Sequence, residues 1–266
     1  MATTLNLYAV NQHIVNWLST YAKNAGVDGF VVGISGGIDS AVTSTLCAQT
    51  GMKTVCVEMP IHQPESHVSR GKEHIARLME KYPNVSAEIV DLTPVFDTFG
   101  AQVKPHENKA RLDLTMANTR ARLRMTALYY VAGVHKLLVA GTGNKIEDFG
   151  VGFYTKYGDG GVDISPIADL LKSEVRALGQ FLDVPQSILQ AKPADGLFAD
   201  DRSDEDQLGA TYDELEWAMD QVAHNRQAAD FSGRQREVFE IYTRLNRMNR
   251  HKMDPIPVCL IPNDLK

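Results

Sequence analysis

Two hydroxyls, two glycines and a carboxylate fall within six positions at Ser35-Gly36-Gly37-Ile38-Asp39-Ser40. Such a loop suits an anion. Gly36 and Gly37 let backbone N–H groups approach phosphate oxygens closely, and a helix starting behind them adds the partial positive charge of its N-terminus. Ser35 and Ser40 supply hydroxyls, while Asp39 offers a hard oxygen ligand for Mg²⁺. Two other phosphate signatures fail: there is no Gly-x-x-x-x-Gly-Lys-Ser/Thr and no Gly-x-Gly-x-x-Gly at this turn.

A loop of this kind needs rigid elements on both sides. The apolar run from Phe30 to Ile34 reads as a strand buried on both faces of a parallel sheet, and Ala41 to Cys47 continues as a helix. Leu7, Ile14, Val15, Leu18 and Ala22 recur at helical spacing before Gly26, so a helix precedes that strand. Short apolar runs at 54–59, 87–90 and 137–140 read as further strands, and helices at 65–81 and 109–135 alternate with them. The pattern is α/β, a doubly wound, mainly parallel sheet with helices on both faces. Right-handed crossovers then bring the Ser35–Ser40 loop, the turn after Met59 and Gly141-Thr142-Gly143-Asn144 to one rim. The acidic stretch 195–206 and the glycine-rich stretch 150–161 are candidate mobile loops, and helices around 212–222 and 234–248 fill the C-terminal third.

Composition excludes several classes. The 266 residues fit one large α/β unit, read here as a single domain over 1–266. With 27 Lys+Arg against 33 Asp+Glu, no nucleic-acid partner held by a broad basic face is expected. No apolar run approaches the ~18 residues of a membrane span, and the N-terminus lacks an export signal, so no membrane partner is expected. Cys47, Cys56 and Cys259 form no Cys-x-x-Cys pair, which reads as a reduced, cytoplasmic protein.

The loop resembles that of the ATP pyrophosphatases, which split ATP between its α- and β-phosphates to adenylate a substrate. Four further motifs follow in order: Asn118-Thr119-Arg120-Ala121-Arg122-Leu123-Arg124-Met125, Gly141-Thr142-Gly143-Asn144-Lys145-Ile146-Glu147, Phe153-Tyr154-Thr155-Lys156-Tyr157-Gly158-Asp159-Gly160-Gly161, and His251-Lys252. Together they make nearly the whole chain similar to the ammonia-dependent NAD synthetases. The resemblance implies an adenine nucleotide alpha hydrolase-like fold and a ligase. In that reaction the carboxylate of nicotinic acid adenine dinucleotide (deamido-NAD) attacks the α-phosphorus of ATP, and ammonia then displaces AMP. It also implies Mg²⁺ as cofactor, ATP, deamido-NAD and ammonia as substrates, and a homodimer; the apolar face of 109–135 is a candidate for its interface, although burial within one subunit would give the same pattern.

Carried over position by position, the resemblance assigns Gly33, Ile34, Ser35, Gly36, Gly37, Ile38, Asp39, Ser40, Thr142, Lys172 and Ala194 to ATP. It assigns Arg122, Lys156, Asp163, His251 and Lys252 to deamido-NAD, and Asp39 with Glu147 to the metal. Asp159, Asp39 and Lys172 are the catalytic candidates, with Asp159 placed to meet ammonium or the metal. Arg120, Arg122 and Arg124 lie two apart on a helix, so only some can face one ligand. One departure stands out: Ala194 fills a position where the family usually has a hydroxyl, so a neutral hydrogen bond of ~1 kcal/mol is missing there. Since the loop begins at Ser35, no room for an amidase precedes it, and free ammonia is the expected nitrogen donor. Two alternatives remain: another ATP pyrophosphatase amidotransferase, or a non-catalytic adenine-nucleotide sensor on the same scaffold.

Overall fold

Successive side chains of the first strand serve two different cores. In the computed structural model, which describes residues 5–63, 65–192 and 203–266, β1 (Gly29–Gly33) sends Phe30 and Val32 to one side and Val31 to the other, all fully buried. Period-two alternation with both faces apolar is what a central parallel strand requires. β2 (Lys53–Glu58) repeats the division, with Cys56 on the first side and Val55 and Val57 on the second.

β3 (Val85–Ile89) and β4 (Leu137–Val139) complete a parallel sheet of order β3-β2-β1-β4. The chain moves outward from β1 to β3 and then crosses back to pair β4 on the far side of β1. That reversal opens a crevice beyond the carboxyl ends of β1 and β4. An isolated parallel bridge, Ala140 with Ile164, extends the sheet past β4.

The first core is covered by α1 (Leu7–Ala25), α2 (Ile38–Gln49), α3 (Glu65–Lys81), α6 (Lys172–Phe181) and α7 (Gln186–Leu189). α1 starts where the Asn6 side chain accepts from Ala9 N at 3.1 Å, and it buries Ile14, Leu18 and Ala22 at helical spacing. The second core is covered by α4 (Thr93–Gln102) and α5 (Lys109–His135), through Phe96, Ala127, Val131 and Ala132. A third cluster joins a π-helical turn at Ile146–Val151 to α8 (Asp204–Leu208), α9 (Tyr212–Ala223) and α10 (Gly233–Met253).

The expected helices at 65–81 and 109–135 have those bounds, and the expected strands shift by one or two residues. The strand expected at 87–90 runs from Val85 to Ile89. The short helices α4, α6, α7 and α8 have no counterpart in the sequence reading. The 150–161 stretch, read as a mobile loop, is pinned: Val151 O accepts from Asn249 Nδ2, and Gly152 O and Tyr154 O both accept from Lys252 Nζ, each at 2.8 Å. Of the acidic stretch, 195–202 lies outside the described residues, and Ser203 caps α8 through Asp206 N at 3.1 Å.

Candidate active site

The loop between β1 and α2 is shaped by its own hydroxyls. Ser40 Oγ lies 3.1 Å from Ser35 Oγ, accepts from Ser35 N at 3.3 Å and donates to Gly37 O at 3.0 Å, while Gly37 N donates to Ser35 Oγ at 3.2 Å. Gly36 turns the chain at φ +81°, a left-handed conformation that costs glycine little. From α3, Arg70 Nε donates to Gly36 O at 3.2 Å. No side chain caps α2, so its first-turn N–H groups face the crevice as an anion-binding end. Ile38 is buried against the first core and orients that helix start, and Ile34 N continues the sheet by donating to Val57 O at 2.9 Å.

Asn144, in the loop after β4, joins the two sides of the crevice. Its Nδ2 donates to Asp39 Oδ1 at 3.3 Å, and its Oδ1 accepts from Ile146 N at 3.1 Å and Glu147 N at 3.2 Å. One fully buried side chain therefore starts the π-helical turn and fixes a carboxylate of α2. That turn presents Glu147 toward Asp39, and Lys172 at the start of α6 fills the gap between them. Lys172 Nζ lies 2.5 Å from Asp39 Oδ2 and 3.0 Å from Glu147 Oε1, with its side chain 3% exposed.

Tyr212 of α9 closes the cluster. Its hydroxyl donates to Glu147 Oε1 at 2.6 Å and lies 3.3 Å from Asp204 Oδ2, and Lys172 Nζ stands 4.8 Å from its ring centre. Burial alone would lower the Lys172 pKa, but the two carboxylates outweigh it and hold the ammonium above its ordinary range. Burial pushes the Asp39 carboxyl up, opposed by Lys172 and reinforced by Glu147. Asp39 and Glu147 converge on one cation, and both carboxylates line the cleft, a pair of hard oxygen donors of the kind that fits Mg²⁺ completed by waters and phosphate oxygens.

A cleft of about 190 Å³ is lined by the Ser35–Ser40 loop, Thr142, Glu147 and Lys172. A second cavity of about 180 Å³ lies beside it, walled by Gly33, Ile34, Met59, Met125 and Leu128. The two share Ser35, Thr142 and Asp159. Asp159 Oδ1 accepts from Thr155 N at 3.0 Å, and burial raises its carboxyl pKa. Ala194 lies outside the described residues.

Four of the five residues expected at the dinucleotide meet where α5, the 152–161 segment and α10 converge. Arg122 Nη2 donates to Lys156 O at 3.4 Å, Lys156 Nζ to His251 O at 2.5 Å, and Lys252 Nζ to two carbonyls of the 152–154 turn. Asp163 is held farther along α5 and by β4: its Oδ1 accepts from Tyr129 OH at 2.9 Å and its Oδ2 from Val139 N at 2.8 Å. Arg120 lies 4.6 Å from the Phe96 ring centre and Arg124 Nε donates to Met59 O at 3.1 Å, so the three arginines do point apart.

Sequence reasoning missed Tyr212, Tyr129 and Asp148, and it placed Asn144 at the rim of the crevice without giving it a role. Asp148 folds back against Gly143, where an added Cβ would sit 2.1 Å from Oδ1, and burial followed by Glu147, Asp159 and Asp39 pushes its carboxyl up to about 8. The acidic pair Glu147-Asp148, two residues beyond Gly143-Asn144, was the available signal.

The family model described as NAD synthase matches residues 10–256. A curated NH(3)-dependent NAD(+) synthetase from Methanococcoides burtonii is 37% identical over 211 residues, 79% of this chain and 77% of that one. The solved NMN synthetase of Francisella tularensis superposes with a TM-score of 0.81 at 32% identity, covering 97% of this chain and 99% of the other. The fold is also that of the NH3-dependent NAD synthetase from Campylobacter jejuni, with a TM-score of 0.77 at 22% identity over 96% and 100% of the two chains. The matched residues run from within α1 to just past the end of α10, and the chain belongs to the NAD synthase family.

Proposed function

We propose that the chain catalyses the ATP-dependent amidation of deamido-NAD with ammonia, giving NAD, AMP and pyrophosphate. The observation that carries this reading is the Lys172 ammonium set between Asp39 and Glu147 at the mouth of an Ser35–Ser40 phosphate loop. The curated relatives of this family are NH(3)-dependent NAD(+) synthetases, which agrees with ammonia as the nitrogen donor.

The chemistry brings a carboxylate onto a polyanion, so cations and aligned donors must supply most of the rate. The α2 N-terminus, Ser35 and Ser40 hold the β- and γ-phosphates, and Lys172 neutralises them. Bound to Asp39 and Glu147, Mg²⁺ would neutralise charge on the phosphate oxygens. The nicotinate carboxylate oxygen attacks the α-phosphorus, the α–β phosphoanhydride bond breaks, and pyrophosphate leaves. The nitrogen of ammonia then attacks the acyl carbon, the bond to AMP oxygen breaks, and one proton is lost. Asp159, where the two cavities meet, is suited to receive an N–H of the incoming ammonium. The apolar cavity suits the adenine ring, with Gly33, Ile34 and Thr142 at its edge. Arg122, Lys156, Asp163, His251 and Lys252 serve the dinucleotide.

The enzyme acts as one catalytic unit over 1–266 and as a homodimer in which the exposed Leu114, Tyr130 and Val134 of α5 meet a second copy. A cytoplasmic location is supported by three free cysteines, two of them buried, and among the described residues no helix is long and apolar enough to cross a membrane.

The likeness to the Francisella NMN synthetase favours a second reading, the same amidation carried out on nicotinic acid mononucleotide. One assay decides between them: ATP, Mg²⁺ and ammonium with each acceptor in parallel, and products separated by chromatography. NAD with AMP and pyrophosphate supports the first reading, a preference for the mononucleotide supports the second, and ADP as product rejects both.

A further inference from the structure

Lys172 occupies the point at which the two metal-binding candidates converge. Its ammonium stands 2.5 Å from Asp39 and 3.0 Å from Glu147, and among the described residues these are its only ion-pair partners. A second cation cannot share that point. We propose that Lys172 is the resident counter-ion of the carboxylate pair, and that a metal enters only as Lys172 is handed to the nucleotide phosphates, so that metal and nucleotide bind together or hardly at all. The proposal rests on the functional reading above, which gives the metal to Asp39 and Glu147 and the phosphates to Lys172.

The surroundings of Lys172 make either ligand alone a poor visitor. A divalent ion arriving without nucleotide would meet the buried ammonium a few ångströms away, or push it toward the Tyr212 ring and off the two carboxylates that hold it. A nucleotide arriving without metal would draw Lys172 away and leave Asp39 and Glu147 facing each other and the phosphates without a cation. When both arrive, each charge finds a partner: the metal replaces the ammonium between the carboxylates, and the phosphates receive the ammonium. The reach is short, because Lys172 and the Ser35–Ser40 loop line the same cleft, and a lysine stem offers four methylenes of freedom. Coupling of this kind is reciprocal by linkage. Lys172 is thus a positioning residue for the metal in addition to a phosphate contact.

The test uses the full chain, Mn²⁺ in place of Mg²⁺, and α,β-methylene ATP, in which a methylene replaces the oxygen bridging the α- and β-phosphorus so that pyrophosphate cannot leave. Calorimetry is run with Mn²⁺ alone, with the analogue alone in chelator, and with the two premixed, on wild type and Lys172→Met. The proposal expects free Mn²⁺ to bind nucleotide-free wild type only at roughly millimolar concentration, and Lys172→Met to bind it at least about tenfold more tightly. Gain of metal affinity on losing a side chain is not what a merely structural lysine gives. Tight stoichiometric Mn²⁺ binding to nucleotide-free wild type overturns the proposal, and so does a folded Lys172→Met that binds Mn²⁺ no better than wild type. The wild-type titrations decide the matter even where Lys172→Met does not fold. Tight Mn²⁺ binding in the titration, alongside formation of AMP and pyrophosphate in a parallel assay with ATP itself, removes the handover and keeps the functional reading, whereas ADP as the product from ATP removes both.

Discussion

Replacing Tyr212 by Phe removes one oxygen from the centre of the site and changes nothing else in shape. The lost bond is the 2.6 Å donation to Glu147 Oε1, and the ring that stays behind still fills the third core and still faces Lys172. A hydrogen bond to a buried carboxylate is worth ~1.5–3 kcal/mol, and a volume-conserving swap adds little packing cost. With unfolding entropy near ~2.1 cal/mol/K per residue, that loss lowers Tm by roughly 3–5 °C. Differential scanning calorimetry of nucleotide-free protein measures it. Because the bond acts through Glu147, a double-mutant cycle with Glu147→Gln should return a coupling of ~1 kcal/mol or more between the two positions. Strictly additive effects, or a Tm within 1 °C of wild type (an experimental resolution of about 0.5 kcal/mol), would refute the argument that Tyr212 holds the carboxylate in place.

Asp39→Asn and Glu147→Gln should each fold and each lower turnover by roughly a hundredfold, the ~3 kcal/mol typical of a lost transition-state charge contact, as read from steady-state kinetics at saturating Mg²⁺. Lys156→Ala should weaken deamido-NAD binding in calorimetry more than ATP binding, whereas Lys252→Ala should also lower Tm, because Gly152 O and Tyr154 O both lose their 2.8 Å donor. Acid should act through His74, which is buried 2.9 Å from Ser44 Oγ and has its pKa lowered to about 4, first by burial and then by Arg77. The folded imidazole stays neutral down to that value while the unfolded one protonates from 6.5, so stability falls as pH drops through this window, by up to ~3 kcal/mol. Tm measured from pH 7 to pH 4 should therefore fall less steeply in His74→Gln than in wild type, and equal slopes would exclude His74 as a cause.

The part of the site legible in the sequence is the part built locally. Phe30 to Ser40 contains a strand marked by its apolar run and a turn whose shaping side-chain hydrogen bonds span at most five residues, so composition and spacing suffice to read it. The strands and the two long helices were legible for the same reason, through period-two and helical apolar spacing. Lys172 carries no local mark of its role: its partner Asp39 lies 133 positions away, and only the resemblance to a family pointed to it. Tyr212 reads as an ordinary apolar residue of an amphipathic helix, which it also is, and its hydroxyl acquires a partner only through the packing of α9 on the π-helical turn. That turn was illegible because six residues are too few to show a period, and α4 was hidden by its brevity and by Pro94 in its first turn.

Asn144 has a consequence for where this chain tolerates extra length. The same amide group donates to Asp39 and accepts from the Ile146 and Glu147 amides, so it measures the loop after β4 against the start of α2. One residue added between 141 and 146 would displace either the donor or the acceptor, and no neighbouring segment could absorb the slip. The exposed junction at 104–108, between α4 and α5, is under no such constraint and touches neither end of that ruler. Loop-length variation and engineered insertions should therefore be accommodated at that junction and be excluded at the rim of the crevice.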